Sequence, residues 1–394
     1  MNSSPLHRLS NAPVLERVCA GTPSFGILST YPPTPCGLAT FSAALADGLS
    51  ATGADVNVVA IADGSPHGAG RVVGELTNGS AASVAACADL LSGSDIALIQ
   101  HEYGLFGGPD GDEVLDILGA LTVPAIVVAH TVPATPTRNQ RAVLKSVAAL
   151  ADRVIVMSDA AASRLQTGFG VDRRKIATIP HGVTMQPMVH TKRSGRPTLL
   201  TWGLLGPGKG IERVIDSMAA LQELRGNPRY LIAGRTHPKV LAAEGEAYRE
   251  ARAVQADRVG ASRSVFFDAG YRDIASLSAL AQAASVVVLP YDSTEQVTSG
   301  VLVDAIASGR PVVATAFPHA VELLRGGAGI VVDHDDPDAM TSALRSVLCD
   351  PRLAGAMAAE ARRLAPSMSW SVVARSYQAV AQGILAAKID RTWM

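Results

Sequence analysis

From Phe25 onward, short apolar runs alternate with longer segments whose apolar residues recur every three or four positions. FGILST (25–30), VNVVAIA (56–62), IALIQ (96–100), AIVVAH (125–130), RVIVMS (153–158) and KIATIPHGV (175–183) read as strands. Helices are expected near 37–52, 80–92, up to 121, 137–151 and 159–169. Continuous apolar strands separated by helices predict a parallel sheet covered on both faces. The pattern breaks around 184–196, where MQPMVHTKRSGRP (185–197) is polar, aperiodic and holds two prolines, the marks of a domain linker. It then restarts with strands TLLTWG (198–203), YLIAG (230–234), SVFFDAG (264–270), SVVVLPY (285–291), one ending at Thr315, and GIVVD (329–333). Helices are expected near 210–224, 238–256, 273–284, 336–348 and 352–364. A last helix, about 370–387, carries Trp370, Val373, Tyr377, Val380 and Ile384 at helical spacing. No 20–50-residue repeat is present.

This pattern predicts an α/β fold of two Rossmann-like, doubly wound parallel-sheet domains facing a central cleft. The expected boundaries are a flexible leader at 1–22, a first domain at 23–183, the linker at 184–196, a second domain at 197–368 and a terminal helix at 369–394. Composition narrows the class. At 48% hydrophobic and 18% charged residues the chain can bury large cores. A net charge of −1 and only 4% aromatics argue against nucleic acid as a partner. Cys19, Cys36, Cys87 and Cys349 have neither metal-site nor disulfide-framework spacing, which fits a reducing compartment. No apolar run reaches transmembrane length, and residues 1–22 lack the apolar stretch of a signal peptide. A cytoplasmic location is expected, with peripheral membrane association left open.

In open α/β sheets ligands bind beyond the carboxyl ends of the strands. Gly37, His101, Glu102, His130 and Ser158 follow strand ends in the first half. Lys209, Arg235 and the 292–300 loop follow them in the second. The stretch TSGVLVDAIASGRPVVAT (298–315) adds a helix whose N-terminus, at Gly300, leaves backbone N–H groups free for an anion. Asp304 lies one turn further along near the same face. A diphosphate at the helix end and a ribose at the carboxylate would fit that spacing. Gly206, Gly208 and Gly210 surround Lys209 and favour close backbone approach to a ligand.

The chain resembles a retaining glycosyltransferase of GT-B fold, of the group 1 / family 4 class. IPHGV (179–183), GLLGPGKGIERVIDS (203–217) and SGVLVDAIASGRPVVAT (299–315) carry the resemblance. VVAH (127–130), DRVIVMSD (152–159) and GGAGIVVDHDDPDAM (326–340) add to it. The resemblance implies a nucleoside-diphosphate sugar as donor co-substrate, no obligate cofactor and no metal. It implies a carbohydrate, lipid-linked or small-molecule acceptor. His130 and Lys209 take the places of the family's catalytic histidine and lysine. Ser299, Gly300 and Val301 take those of the diphosphate-binding backbone, and Gly37 that of a glycine beside the phosphate.

The sequence also departs from the family pattern. The ribose glutamate is Asp304, one methylene shorter, and the glutamate that reads the sugar is Gln296, with Glu295 beside it. The usual arginine five residues before Lys209 is Leu204, and Arg235 is the candidate to replace it. His181 stands for an asparagine and is expected to line the cleft, while His101 and Glu102 are expected to bind or orient the acceptor. No carboxylate nucleophile is identifiable, so the implied route to retention is front-face substitution. The expected reaction is hexosyl transfer, mannosyl or glucosyl favoured. A sugar-nucleotide epimerase and a non-catalytic sugar-nucleotide binder stay open beside it. A phosphorylase lacks its lysine here, and a dehydrogenase lacks its G-x-G-x-x-G.

Overall fold

The computed structural model describes residues 21–66, 70–187, 195–270 and 272–392. Most of the expected leader, with Cys19, and residues 188–194 of the expected linker lie outside the described residues.

The first domain runs β1 (Phe25–Ser29), α1 (Gly37–Ala51), β2 (Val56–Ile61), β3 (Val72–Leu76), α2 (Ala81–Ser92), β4 (Ile96–His101), α3 (Val114–Ala120), β5 (Ala125–Ala129), α4 (Arg138–Leu150), β6 (Arg153–Val156), α5 (Asp159–Phe169) and β7 (Ile176–Thr178). The second runs β8 (Thr198–Trp202), α6 (Ile211–Leu221), β9 (Arg229–Ala233), α7 (Pro238–Glu244), α8 (Ala247–Arg258), β10 (Val265–Asp268), α9 (Ile274–Ala283), β11 (Val286–Leu289), α10 (Gly300–Ala307), β12 (Val312–Thr315), α11 (Pro318–Leu324), β13 (Gly329–Val332), α12 (Pro337–Cys349) and α13 (Pro351–Leu364). A long closing helix, α14 (Trp370–Thr392), follows.

The strands form two parallel sheets, ordered β3-β2-β1-β4-β5-β6-β7 and β10-β9-β8-β11-β12-β13. In both, the order reverses beside the domain's first strand, so each sheet has the crevice where doubly wound folds bind ligands. Central strands such as β1 (FGILS) and β11 (VVVL) are buried along their whole length. That is why they read as unbroken apolar runs rather than as alternation. Helix starts are fixed by local chemistry. Thr137 and Gln140 form a capping box on α4, and Ser80, Ser158, Asp273 and Asp336 cap α2, α5, α9 and α12.

Three elements differ from the sequence pattern. The stretch 238–256 is two helices, broken where Gly245 takes φ 63. Strand β3 is an edge strand whose burial alternates, so its apolar signal is weak. Helix α11 has only seven residues, too few to show a period.

The chain crosses between domains twice, and the two crossings pair. Val183 N–H donates to Met368 O (2.8 Å), and Trp370 N–H donates to Val183 O (3.3 Å). The Trp370 ring lies directly over Gly182, where a Cβ would collide with it. Phe41 of α1 meets the rings of His130, His181 and Trp370 edge-on at 4.9–5.0 Å. Beyond this knot, α14 lies on the first domain's sheet. Its Val373, Ala374, Tyr377, Ala381 and Ile384 join Phe25, Ile27, Phe41, Leu45 and Leu49 in one core. Full burial of each large apolar side chain there contributes about 1.5–3 kcal/mol.

Candidate functional site

A cavity of about 490 Å³ lies between the domains. Gly37, Glu102, His130 and His181 line it from the first domain and its crossover, and Gly300, Val301 and Asp304 from the second. Trp202, Ile274 and Leu277 add an apolar wall. A second cavity, about 370 Å³, shares His130, Thr131 and Thr298 with the first and adds Glu295 and Gln296.

The second-domain wall is built on the start of α10. Ser299 caps the helix by accepting from Leu302 N–H (3.2 Å). Its own N–H donates to Nδ1 of His319 on α11 (2.9 Å). Val303 N–H bonds to Ser299 O (3.3 Å). The amides of Gly300 and Val301 are therefore the ones left facing the cavity, with the positive end of the helix dipole behind them. Ser299 was expected to offer its backbone to a ligand, but its amide is already engaged. The ring of His181 covers Gly300 so closely that a Cβ there would lie 3.0 Å from Nε2. His181 Nδ1–H donates to Gly182 O (2.7 Å), which leaves Nε2 as an acceptor beside those amides.

Asp304 faces the cavity one turn further on and is open to solvent through it. Protein nevertheless walls it closely, and this desolvation pushes its carboxyl up to about 7. Burial likewise holds the imidazoles neutral. His181 is pushed down to about 4, and His130 to about 3, with the neighbouring His181 and His101 adding to the effect on His130.

On the first-domain wall, His130 follows β5, and its Nε2–H donates to Gln100 Oε1 (2.7 Å). Gln100 is fully buried on β4. Glu102 is held by Thr131 Oγ1–H (2.6 Å) and Tyr103 N–H (3.1 Å), which fix the carboxylate at the cavity edge.

Other expected site residues lie elsewhere. His101 is the last residue of β4 rather than the first of a loop. It is paired to Ala129, fully buried against Tyr103 and lines neither cavity. Arg235 is exposed and outside both cavities. Lys209 lines neither cavity either. It is half-buried, with its ammonium 4.8 Å from the centre of the Tyr291 ring, and desolvation lowers its pKa. Its loop is fixed by Gly210, which adopts φ 63 and packs against Pro290 O so tightly that only glycine fits. Gln296 folds back to donate to Thr298 O (2.9 Å).

Glu295 reaches across to the first domain. Its carboxylate accepts from Ala134 N–H (3.1 Å) and Thr135 Oγ1–H (2.9 Å). Arg164 of α5 ties the same place together, donating to Val132 O (3.0 Å) and Glu295 O (2.7 Å). Nearby, the carboxylate of Glu322 on α11 accepts from Asp159 N–H (2.9 Å) and Ala160 N–H (3.0 Å) at the start of α5. Sequence reasoning missed Gln100, Arg164, His319 and Glu322. Gln100 carried a signal as a polar residue inside an apolar strand, and Pro318 was the one mark of a helix start before His319 and Glu322.

The chain matches two family descriptions, one over most of each domain. Residues 35–186 match Glycosyltransferase Family 4, and residues 196–350 match Glycosyl transferases group 1. The D-inositol 3-phosphate glycosyltransferase of Corynebacterium urealyticum is 29% identical over 240 residues, covering 57% of this chain and 55% of that protein. The glycogen synthase of Mycobacterium tuberculosis is 32% identical over 244 residues, covering 60% and 55%. The chain thus spans about half the length of these relatives. Among solved structures, Anabaena HepE in complex with UDP has the same fold, with a TM-score of 0.74 at 17% identity over 91% of this chain and 100% of that one.

Proposed function

The chain belongs to the group 1 / family 4 glycosyltransferases, with the GT-B fold, and from that premise we propose that it moves a hexosyl group, with retention, from a nucleoside-diphosphate sugar to a hydroxyl acceptor. One observation carries the reading: Gly300, Val301 and Asp304 from one domain and Gly37, Glu102 and His130 from the other line a single cavity. The amides at the start of α10 suit a diphosphate, and Asp304 suits ribose hydroxyls. The second cavity, with Gln296 and His130, suits the sugar. HepE, a structure of this fold, is in complex with UDP, which supports a nucleotide as part of the donor.

The reaction follows from the groups at hand. The bond from the anomeric carbon to the diphosphate oxygen breaks as the acceptor oxygen bonds on the same face. The departing diphosphate oxygen takes the acceptor's proton. The protein positions the partners and stabilises the charge that develops on the diphosphate, through the Gly300 and Val301 amides and Lys209. To reach the diphosphate, Lys209 would leave the Tyr291 ring, a movement that its flexible four-carbon stem allows. His130 presents its neutral ring to the sugar, and Glu102 accepts the acceptor hydroxyl.

Incubating the protein with UDP-, GDP- and ADP-hexoses, with Lys209→Ala and His130→Ala as controls, tests this. Donor turnover is expected with at least one of them, reduced about 100-fold in each variant. Binding without turnover across the panel would make the protein a sugar-nucleotide binder. Turnover unchanged by Lys209→Ala would remove that residue from the site.

A further inference from the structure

Helix α11 carries a buried histidine that the proposed reaction does not use. His319 is 3% exposed and sits behind the loop that leads into α10. It touches that loop at two places. Its backbone N–H donates to Gln296 O (3.2 Å), and its Nδ1 accepts from Ser299 N–H (2.9 Å). Both ends of the Gln296–Ser299 turn are therefore bonded to one residue of another element. The turn brings two recognition features side by side. Gln296 is in the second cavity, and the free amides of Gly300 and Val301 begin immediately after it.

The chemistry of the contact is directional. Ser299 N–H is a donor in a buried place and needs an acceptor, because an orphaned amide there is costly. A neutral imidazole with its lone pair on Nδ1 supplies one. Burial first, and the neighbouring His181 second, press the His319 pKa down to about 4, so the ring is an acceptor at neutral pH. An imidazolium in the same place would turn a donor toward a donor.

We propose that His319 is a positioning residue for the donor. By holding Gln296 O and Ser299 N–H it sets the spacing between the group that reads the sugar and the two amides that hold the diphosphate. This rests on the glycosyltransferase reading of the cavity. His319 itself lines neither cavity and acts through the turn.

The test exploits side-chain geometry. In His319→Asn the amide oxygen stands near the place of Nδ1, whereas in His319→Gln it is carried one methylene beyond it. The two substitutions are alike in polarity, so they separate the acceptor's position from general disturbance of the fold. For the full-length protein with its best donor, His319→Gln is expected to raise the donor KM about tenfold, the effect of one lost buried hydrogen bond. The acceptor KM should stay within about twofold, and His319→Asn should stay within about threefold of the parent on both. Amide hydrogen exchange over 296–302 is read in parallel without ligand, and should quicken in the Gln variant but not in the Asn variant. Asn and Gln variants that behave alike, or a Gln variant that shifts both KM values equally, would overturn the proposal. Should the parent turn over no donor, the reaction reading fails, and the exchange measurement alone decides whether His319 holds the turn.

Discussion

The two domains touch in two places of opposite character. At the crossover, Val183, Met368 and Trp370 are joined by backbone hydrogen bonds, and Phe41, His130, His181 and Trp370 form a knot of rings. At the other contact the packing is slighter: Val297 of the loop before α10 is buried in the first domain's core, and the contacts around it are polar. Two carboxylates, Glu295 and Glu322, and one guanidinium, Arg164, reach across to backbone groups and a hydroxyl. Apolar and backbone contacts of the first kind are lost only with the local fold. Half-exposed charged contacts of the second kind are worth little each and exchange readily with water. The comparison reads as a permanent pivot and a reversible latch, the pair that a closing cleft needs.

The comparison breaks most sharply at Trp370. Trp370→Ala removes the ring from Gly182, Phe41 and His181 and is expected to cost about 3 kcal/mol, the low end for a large aromatic because the ring is only part-buried. Urea unfolding measures it, and a loss below about 1 kcal/mol would mean the crossover is not a packed pivot.

Acid separates the two contacts next. His130 and His181 have folded pKa values pushed below the usual 6.5, to about 3 and about 4. The folded state therefore binds fewer protons than the unfolded one. Their share of stability is complete above about pH 6.5 and is lost as pH falls toward 4. Glu295 is held below its ordinary 4.5, chiefly by the Thr135 hydroxyl and then by the Ala134 amide. Its share is present above pH 4.5 and is lost only in stronger acid. Asp304, raised to about 7, works in the opposite sense, but His101 and His319, lowered to about 4, add to the two cleft imidazoles, so the thermal midpoint should fall between pH 6.5 and 4.5, and His181→Asn should flatten part of that fall. A midpoint constant from pH 7 to 5 would contradict the assignment.

The smallest effect on stability belongs to the latch. Removing Glu322 takes a negative charge from the N-terminus of α5, worth about 0.3–1 kcal/mol. The Glu295→Ala, Glu322→Ala double variant should unfold almost like the parent yet scatter X-rays as a more open particle. An unchanged radius of gyration would show that these bonds do not hold the domains together.

Much of this molecule could be read from its sequence, and the unread parts share a cause. The buried parallel strands were legible because burial on both faces writes them as apolar runs. Strand β3 was not, since it is a half-exposed edge. The start of α10 was legible as a local signal of Ser, Gly and an apolar face. Which of its amides are free was not, because that depends on His319, which arrives from a different element. His101 shows how fine the margin is: one further residue of pairing with β5 moves it from a loop into the sheet. Glu295 was named beside Gln296 as a donor-binding candidate, and it lines the second cavity, but that its carboxylate also bonds the first domain was not legible. Long-range partners of this sort leave no trace in local periodicity.

The return of α14 to the first domain has a consequence for how the protein is made. The face of that domain formed by Phe25, Ile27, Phe41 and Leu45 is covered by Val373, Tyr377 and Ile384, which a ribosome adds only after the whole second domain. The first domain emerges early but waits with that apolar face uncovered, while the second completes its own two cores first. The part synthesised first is thus the part finished last, and a chain cut short before Trp370 would leave that face exposed to its neighbours.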